Sequence, residues 1–378
     1  MDYNKTFTKY IKRECSFTYG QIHKSPKLKT YQTFIIIPCY AELDYIFKTL
    51  DSINNQNTKY LESCLIVIVI NNSNQDSNKV KENNQKTFDD LQVKKYNFEF
   101  ITIDCFSQKN VLDSKIAGVG MARKIGLDYC LMLGENADSL LCSLDADTPI
   151  HNGYLNHIIS RFNEYKYGAC VVNFKHQASK DIIIENGIRK YESILKNIAK
   201  QIDNTGSPYG YVSLGSTIIC TIKSYVACGG MSKKKATEDF YFLQSLAKYT
   251  EIKKIKKILT FPSSRNNQRV YLGTGFRMNE YKKNNQFKDL EYSKQSFEKL
   301  KDLIALVNSS WDNEFNVFYK KLIEVSNNKT IDFLIEKKIK TVWNNMRKNS
   351  KNKNQFILFF HQWFDALMII QLLKKLNN

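Results

Sequence analysis

The chain has 378 residues, 43% of them hydrophobic and only five of them proline, which is enough to bury a full α/β core and leave residues for a smaller second region. A formal net charge of +19 gathers anions such as nucleotide diphosphates, anionic lipids or nucleic acid, without choosing among them. Nine cysteines without a Cys-x-x-Cys pair, several of them inside apolar runs as Cys64, Cys142 and Cys170 are, fit a reduced compartment better than a disulfide framework.

Met1 to Arg13 is polar and charged, so it does not read as a secretory signal. No apolar stretch reaches the ~20 residues a membrane-spanning helix needs. The expected location is therefore cytoplasmic, soluble or peripheral at the inner face of the membrane. The lysine runs Lys233-Lys234-Lys235, Lys253-Lys254 and Lys256-Lys257 read as solvated surface.

In chain order, Thr33 to Pro38 is a continuous apolar, β-branched run that predicts a strand buried on both faces. Asp44 to Ile53 carries apolar residues at helical spacing. Cys64 to Ile70 is a second buried strand, closed by the turn-forming Asn71-Asn72-Ser73-Asn74. Such a strand–helix–strand unit builds parallel sheet. Gln75 to Lys95 is polar and reads as a solvated helix or insertion. Phe98 to Ile103 follows as a strand, Asp113 to Leu131 as one long helix, and Ser139 to Leu144 as a strand ending at Asp145-Ala146-Asp147. Further on, Gly168 to Phe174 and Thr217 to Thr221 read as strands, and Ile188 to Ile202 and Glu238 to Lys248 as helices. After Gln286 the pattern is helical, with a polar break at Lys348 to Asn354. Phe356 to Leu373 is apolar and aromatic but interrupted by His361, Gln362, Asp365 and Gln371. It reads as a core helix, with an interfacial membrane helix as the alternative.

Ligands of open parallel sheets collect beyond the carboxyl ends of the strands, and three such ends here carry polar residues: Tyr40 to Glu42, Asn71 to Ser73, and Asp145 to Asp147. Two carboxylates one residue apart at the end of a buried strand are hard oxygen ligands, suited to Mg²⁺ or Mn²⁺ shared with a polyphosphate. An Asx-turn at a strand end is the plainer reading of the same tripeptide. Glu238-Asp239 follows Gly229-Gly230 and opens a helix with Thr237 as a possible cap. The helix dipole favours acids there in any case, while a catalytic reading makes one of them a base beside an acceptor hydroxyl.

Taken in order, Pro38-Cys39-Tyr40-Ala41-Glu42, the Asn71-Asn72-Ser73 turn, Gly118-Val119-Gly120-Met121-Ala122-Arg123, Leu144-Asp145-Ala146-Asp147, and Gly229-Gly230 with Thr237-Glu238-Asp239 resemble glycosyltransferase family 2 over residues 33 to 250. The resemblance implies a GT-A type, Rossmann-like, mostly parallel sheet flanked by helices over residues 1 to 285, with a mainly helical C-terminal region over 286 to 378. It implies an inverting transfer of a sugar from a UDP- or GDP-linked donor to a saccharide or lipid-linked acceptor hydroxyl, with Mn²⁺ or Mg²⁺, in cell-surface polysaccharide or glycolipid synthesis. In that family's pattern Pro38, Tyr40 and Glu42 look like the nucleoside-binding opening. Asn71, with Asn72 beside it, stands where an acid commonly contacts the base; Asn both donates and accepts, which leaves the base open. Arg123 looks like the basic residue near the nucleotide, Asp145 approaches ribose and metal, and Asp147 holds the metal. Asp239 looks like the general base and Glu238 its supporting neighbour. The stretch Ser263-Ser264-Arg265, Arg269 and Gly273-Thr274-Gly275-Phe276-Arg277 could close over the diphosphate, with Arg277 as its contact; a plain turn with surface arginines is the other reading.

Two rival functions differ in what they require. A sugar nucleotidyltransferase carries a glycine-rich basic loop straight after the first strand, and Pro38-Cys39-Tyr40-Ala41-Glu42 is not one. A nucleic-acid-binding protein suits the charge, yet no recognised binding module is present, so nucleic acid is not expected as a partner.

Overall fold

A computed structural model describes residues 2–28, 30–233, 237–266, 273–287 and 290–377. The chain divides into two compact units, Met1–Arg189 with Ser213–Asn285, and Lys190–Val212 with Gln286–Asn378.

The first unit runs α1 (Tyr3–Arg13), β1 (Gln21–His23), β2 (Thr33–Cys39), α2 (Leu43–Asn54), α3 (Thr58–Leu61), β3 (Cys64–Asn71), α4 (Asn78–Val93), β4 (Glu99–Cys105), α5 (Val119–Cys130), β5 (Leu140–Ser143), α6 (Tyr154–Tyr165), β6 (Ala169–Phe174) and the start of α7 (Ile182–Asp203). It resumes with β7 (Ile218–Thr221), α8 (Ile222–Ala227), α9 (Glu238–Tyr249), β8 (Ile252–Thr260) and α10 (Thr274–Asn284). Among the described residues eight strands form one sheet in the order β1-β4-β3-β2-β5-β7-β6-β8. β4, β3, β2 and β5 are mutually parallel, β7 is antiparallel to both of its neighbours, and β8 adds parallel to β6.

β2 and β3 are buried along their whole length, which is why their sequences are unbroken apolar runs rather than alternating ones. Their side chains still alternate between two layers. Ile35, Ile37, Ile66 and Ile68 share a core with Ile46, Leu50 and Ile53 of α2 and with Leu155 and Ile158 of α6. Ile36 and Val69 face α5, where Gly126 lets the helix close on the sheet: a Cβ there would stand 2.6 Å from Ile36 Cγ2. β8 is a strand that the lysine pairs hid. Lys254, Lys256 and Lys257 are exposed on this sheet-edge strand, as expected of them, while Ile252, Ile255 and Leu259 are buried. Lys233 is exposed too, and Lys234 and Lys235 lie outside the described residues.

Three expected elements differ from the structure; the helix expected over Ile188 to Ile202 begins earlier, at Ile182. The helix expected over Asp113 to Leu131 is α5 alone. Asp113 closes a turn instead, its Oδ1 accepting from Lys115 N at 2.8 Å and its carbonyl from Ala117 N, while Leu112 pairs with Ser73. The apolar segment Phe356 to Leu373 is two helices, bent by 67° at a break where Asp365 Oδ1 accepts from Met368 N.

The second unit contains the end of α7 and α11 (Lys294–Ser309), α12 (Phe315–Val325), α13 (Asn328–Glu336), α14 (Ile339–Asn349), α15 (Lys353–Trp363) and α16 (Ala366–Asn377). Its centre is Trp343, stacked on Phe318 with centroids 3.8 Å apart and met edge-on by Phe356. Phe360, Phe364, Ile369, Leu372 and Leu373 are buried in the protein. Among the described residues no single helix is long and apolar enough to cross a membrane.

Candidate active site

Strand order reverses at β2: β3 and β4 extend the sheet to one side, and β5 lies on the other. In such sheets the crevice beyond the strand ends opens at this switch point. Here β2 and β5 part just before Pro38. The last rung between β5 and β2 is Leu144 N to Ile36 O at 3.0 Å, so Pro38, whose nitrogen turns to that same side, forfeits no hydrogen bond where the strands part. The Asp145-Ala146-Asp147 turn occupies this parting. It is fixed from two directions, since Ala146 O accepts from Thr49 Oγ1 of α2 at 2.8 Å and Asp147 O accepts from Gln177 Nε2 at 2.9 Å.

Asp145 meets Arg123, a residue of α5 with 3% exposure. The guanidinium forks, Nη2 donating to Asp145 Oδ1 and Nη1 to Glu238 Oε1 at the start of α9. Burial by itself disfavours the charged guanidinium, but Asp145, Glu238 and Asp239 outweigh it and hold the cation. Three carboxylates surround one cation, so the cluster favours taking up a proton. Burial pushes the Glu238 carboxyl up to about 7, against the pull of Arg123 and with the push of Asp239. Burial likewise raises Asp239, again opposed by Arg123. Glu238 is buried and Asp239 half-buried. Thr237, expected as a cap, precedes them in a left-handed conformation with φ 62°, not the extended one of a capping threonine.

A second guanidinium stands beside Asp147. Arg265, which follows β8, places Nη2 2.5 Å from Glu42 Oε1 and 2.8 Å from Asp147 Oδ2, and lies over the Tyr45 ring at 4.1 Å. The turn thus faces two cations, one through each carboxylate.

The β3 end forms a polar shelf. Asn84 of α4 donates to Asn71 O at 3.0 Å and Asn72 Oδ1 at 2.8 Å and accepts from Ala41 N at 2.9 Å, which ties the β2 and β3 ends together. Asn71 Oδ1 is buried without a hydrogen-bond partner among the described residues. Tyr40 OH donates to Asp76 Oδ1 at 2.9 Å, and Asp76 Oδ2 accepts from Ser73 N at 2.6 Å. Arg277 lies on α10, where it pairs with Glu280 at 2.6 Å. Arg269 lies outside the described residues.

Arg123, Asp145 and Glu238 are therefore joined directly, Glu42 and Asp147 are joined by Arg265, and Asn71 and Asn72 meet the β2 end through Asn84. Sequence patterns alone missed Asp76, Asn84 and the anchorage of α5. Lys124 and Asp128, at i and i+4 on that helix, pair at 3.1 Å in full burial, and Asp128 also accepts from Tyr10 of α1, Tyr225 of α8 and Ser16. The i,i+4 spacing was visible, but its partners lie roughly a hundred residues away.

No three carboxylate, histidine or cysteine side chains converge as a metal site among the described residues. Mg²⁺ or Mn²⁺ bound through one or two carboxylates with phosphate oxygens as its other ligands needs no such cage. Asp147, already beside a cation, fits that arrangement, with Asp145 next to it.

No family model and no curated protein sequence matches the chain. Among solved structures, TarS of S. aureus (residues 1–349, with UDP-GlcNAc) is 14% identical, covering 87% of this chain and 91% of its own, with a TM-score of 0.44. The mannosyltransferase PcManGT of Pyrobaculum calidifontis, in complex with GDP-Man and Mn²⁺, is 12% identical, covering 96% of this chain and 94% of its own, with a TM-score of 0.41. Similarities of this size assign no chemistry, and what the site can do follows from its residues.

Proposed function

We propose that the chain is a GT-A type glycosyltransferase that moves a sugar from a nucleotide-diphosphate donor, UDP- or GDP-linked, to a hydroxyl of a saccharide or lipid-linked acceptor with inversion. The observation that carries this reading is the Arg123 fork, which ties the strand-end Asp145 to the buried Glu238 beside Asp239. A donor-side carboxylate and the immediate neighbour of the base candidate are thereby held on one guanidinium at the switch point of the sheet.

In this reading the shelf of Tyr40, Asn71 and Asn72 takes the nucleoside, and the buried Asn71 Oδ1, which has no partner among the described residues, supports it as an acceptor for a base or ribose donor. Asp145 faces the ribose side and Asp147 the diphosphate side. A divalent cation held by Asp147, with Asp145 next to it, would offset charge developing on the departing diphosphate. Asp239 accepts the proton of the acceptor hydroxyl as its oxygen attacks the anomeric carbon and the bond to the diphosphate breaks. The raised affinity of that carboxylate for a proton suits a base. Glu238 and Asp145 fix Arg123 between them, which holds the start of α9, and with it the backbone that carries Asp239, before substrate arrives. Arg277 is kept as a diphosphate contact only if its pairing with Glu280 is exchanged for phosphate.

The test is a screen of UDP-, GDP- and dTDP-sugars for thermal stabilisation and for Mn²⁺-dependent hydrolysis. Stabilisation by one nucleotide class, lost in Asp147→Asn, is the expected result. Absence of any nucleotide effect, or tight salt-dependent binding to nucleic acid instead, overturns the proposal.

A further inference from the structure

Asp147 and Glu42 come from different strand ends, and one guanidinium bridges them. Arg265 Nη2 lies 2.5 Å from Glu42 Oε1 and 2.8 Å from Asp147 Oδ2. Its guanidinium is packed against the face of Tyr45 with 4.1 Å to the ring centroid, and the side chain is 21% exposed. Two carboxylates and an aromatic face around a planar cation form a preformed cation seat. The occupant belongs to the chain itself.

We propose that Arg265 is a built-in counter-cation of the donor site, which a divalent cation entering with a nucleoside diphosphate must displace from Asp147. This rests on the transferase reading. A guanidinium and a divalent ion cannot both lie against the same Asp147 oxygen, because the two positive charges would repel at a few ångströms in a partly dry crevice. The free protein therefore divides between a form with Arg265 on Asp147 and a form able to take the metal, and apparent metal affinity falls by the fraction of the first form. Displaced from Asp147, Arg265 keeps Glu42 as a partner and stays close to the incoming diphosphate, a bidentate guanidinium ligand. Exchange of one cation for another leaves each acid beside a positive charge throughout.

The experiment is a titration with Mn²⁺ alone, followed by the electron paramagnetic resonance signal of the free ion, on wild type, Arg265→Gln and Tyr45→Leu. Arg265→Gln is expected to bind Mn²⁺ about tenfold more tightly than wild type. Tyr45→Leu removes only the ring that holds the guanidinium, and is expected to shift affinity in the same direction by less. It serves as the readout should Arg265→Gln fail to fold. Equal or weaker Mn²⁺ binding in the folded variants overturns the inference. In that case Mn²⁺-dependent binding of UDP or GDP by wild type, lost in Asp147→Asn, leaves the transferase reading standing; loss of both results overturns the two together.

Discussion

A single methyl group added at Gly215 tests whether the Arg123 fork is the organising contact of the site. Gly215 is buried, just before β7, with the Arg123 guanidinium beside it. A Cβ there would stand 2.5 Å from Arg123 Cζ and 2.6 Å from Nη1, inside the 3.0 Å that real Cβ contacts respect. Its φ is not positive, so alanine brings no backbone strain and the collision acts alone. A shift of the guanidinium to make room works against its bonds to Asp145 and Glu238. Each charge-assisted hydrogen bond contributes about 1.5–3 kcal/mol, and a buried ion left without its partner costs about 3–5 kcal/mol. Gly215→Ala should therefore destabilise the first unit by about 3 kcal/mol. It should also lower donor turnover about a hundredfold through misplacement of the acids. Urea unfolding measures the first, and donor hydrolysis the second. Arg123→Met supplies the control, because without the guanidinium the added methyl has little to strike, and the double variant should be far less destabilised than the sum of the singles. Strict additivity, or a Gly215→Ala protein within about 0.5 kcal/mol of wild type, refutes the reasoning.

The remaining expectations address other parts of the molecule. Asp147→Asn should abolish metal-dependent donor binding in calorimetry, whereas Asp239→Asn should keep donor binding and lose transfer; equal transfer rates in wild type and Asp239→Asn would remove the base assignment. The raised Glu238 carboxyl makes a signed pH prediction. Between its ordinary value near 4.5 and about 7 the folded protein holds a proton that the unfolded chain has released. The favourable contribution is thus complete below that window and lost as pH rises through it, so Tm falls across pH 5 to 8 and falls less in Glu238→Gln. A steeper fall in the variant contradicts the cause assigned. In the second unit, Trp343→Ala empties the centre of the core and should cost about 3–5 kcal/mol in urea unfolding, and a loss under about 1 kcal/mol would show that the Phe318 stack is not its keystone.

Apolar periodicity made most of the fold legible. β2, β3 and β5, and the helices α2 and α9, stand within a residue or two of where their patterns placed them, because each buries a contiguous face that hydrophobicity marks directly. β8 escaped because an edge strand rimmed with lysine buries few apolar residues, Ile252, Ile255 and Leu259. The start of α5 was misplaced because Asp113 offers its side chain to the backbone, an alternative to helix that composition cannot weigh. The break before α16 was hidden for the same reason at Asp365.

For the candidate site, the sequence by itself determined which strand ends carry acids and amides, since those residues interrupt apolar runs that have a structural reason to continue. Tertiary structure alone decided how they are paired. Arg123 and Glu238 are 115 residues apart, and Arg265 lies 223 residues from Glu42. Charge pairing at such separations leaves no periodic trace in a chain, because it depends on where the sheet order turns back on itself; only the folded sheet brings β2, β5 and the segments after β8 and before α9 to one crevice.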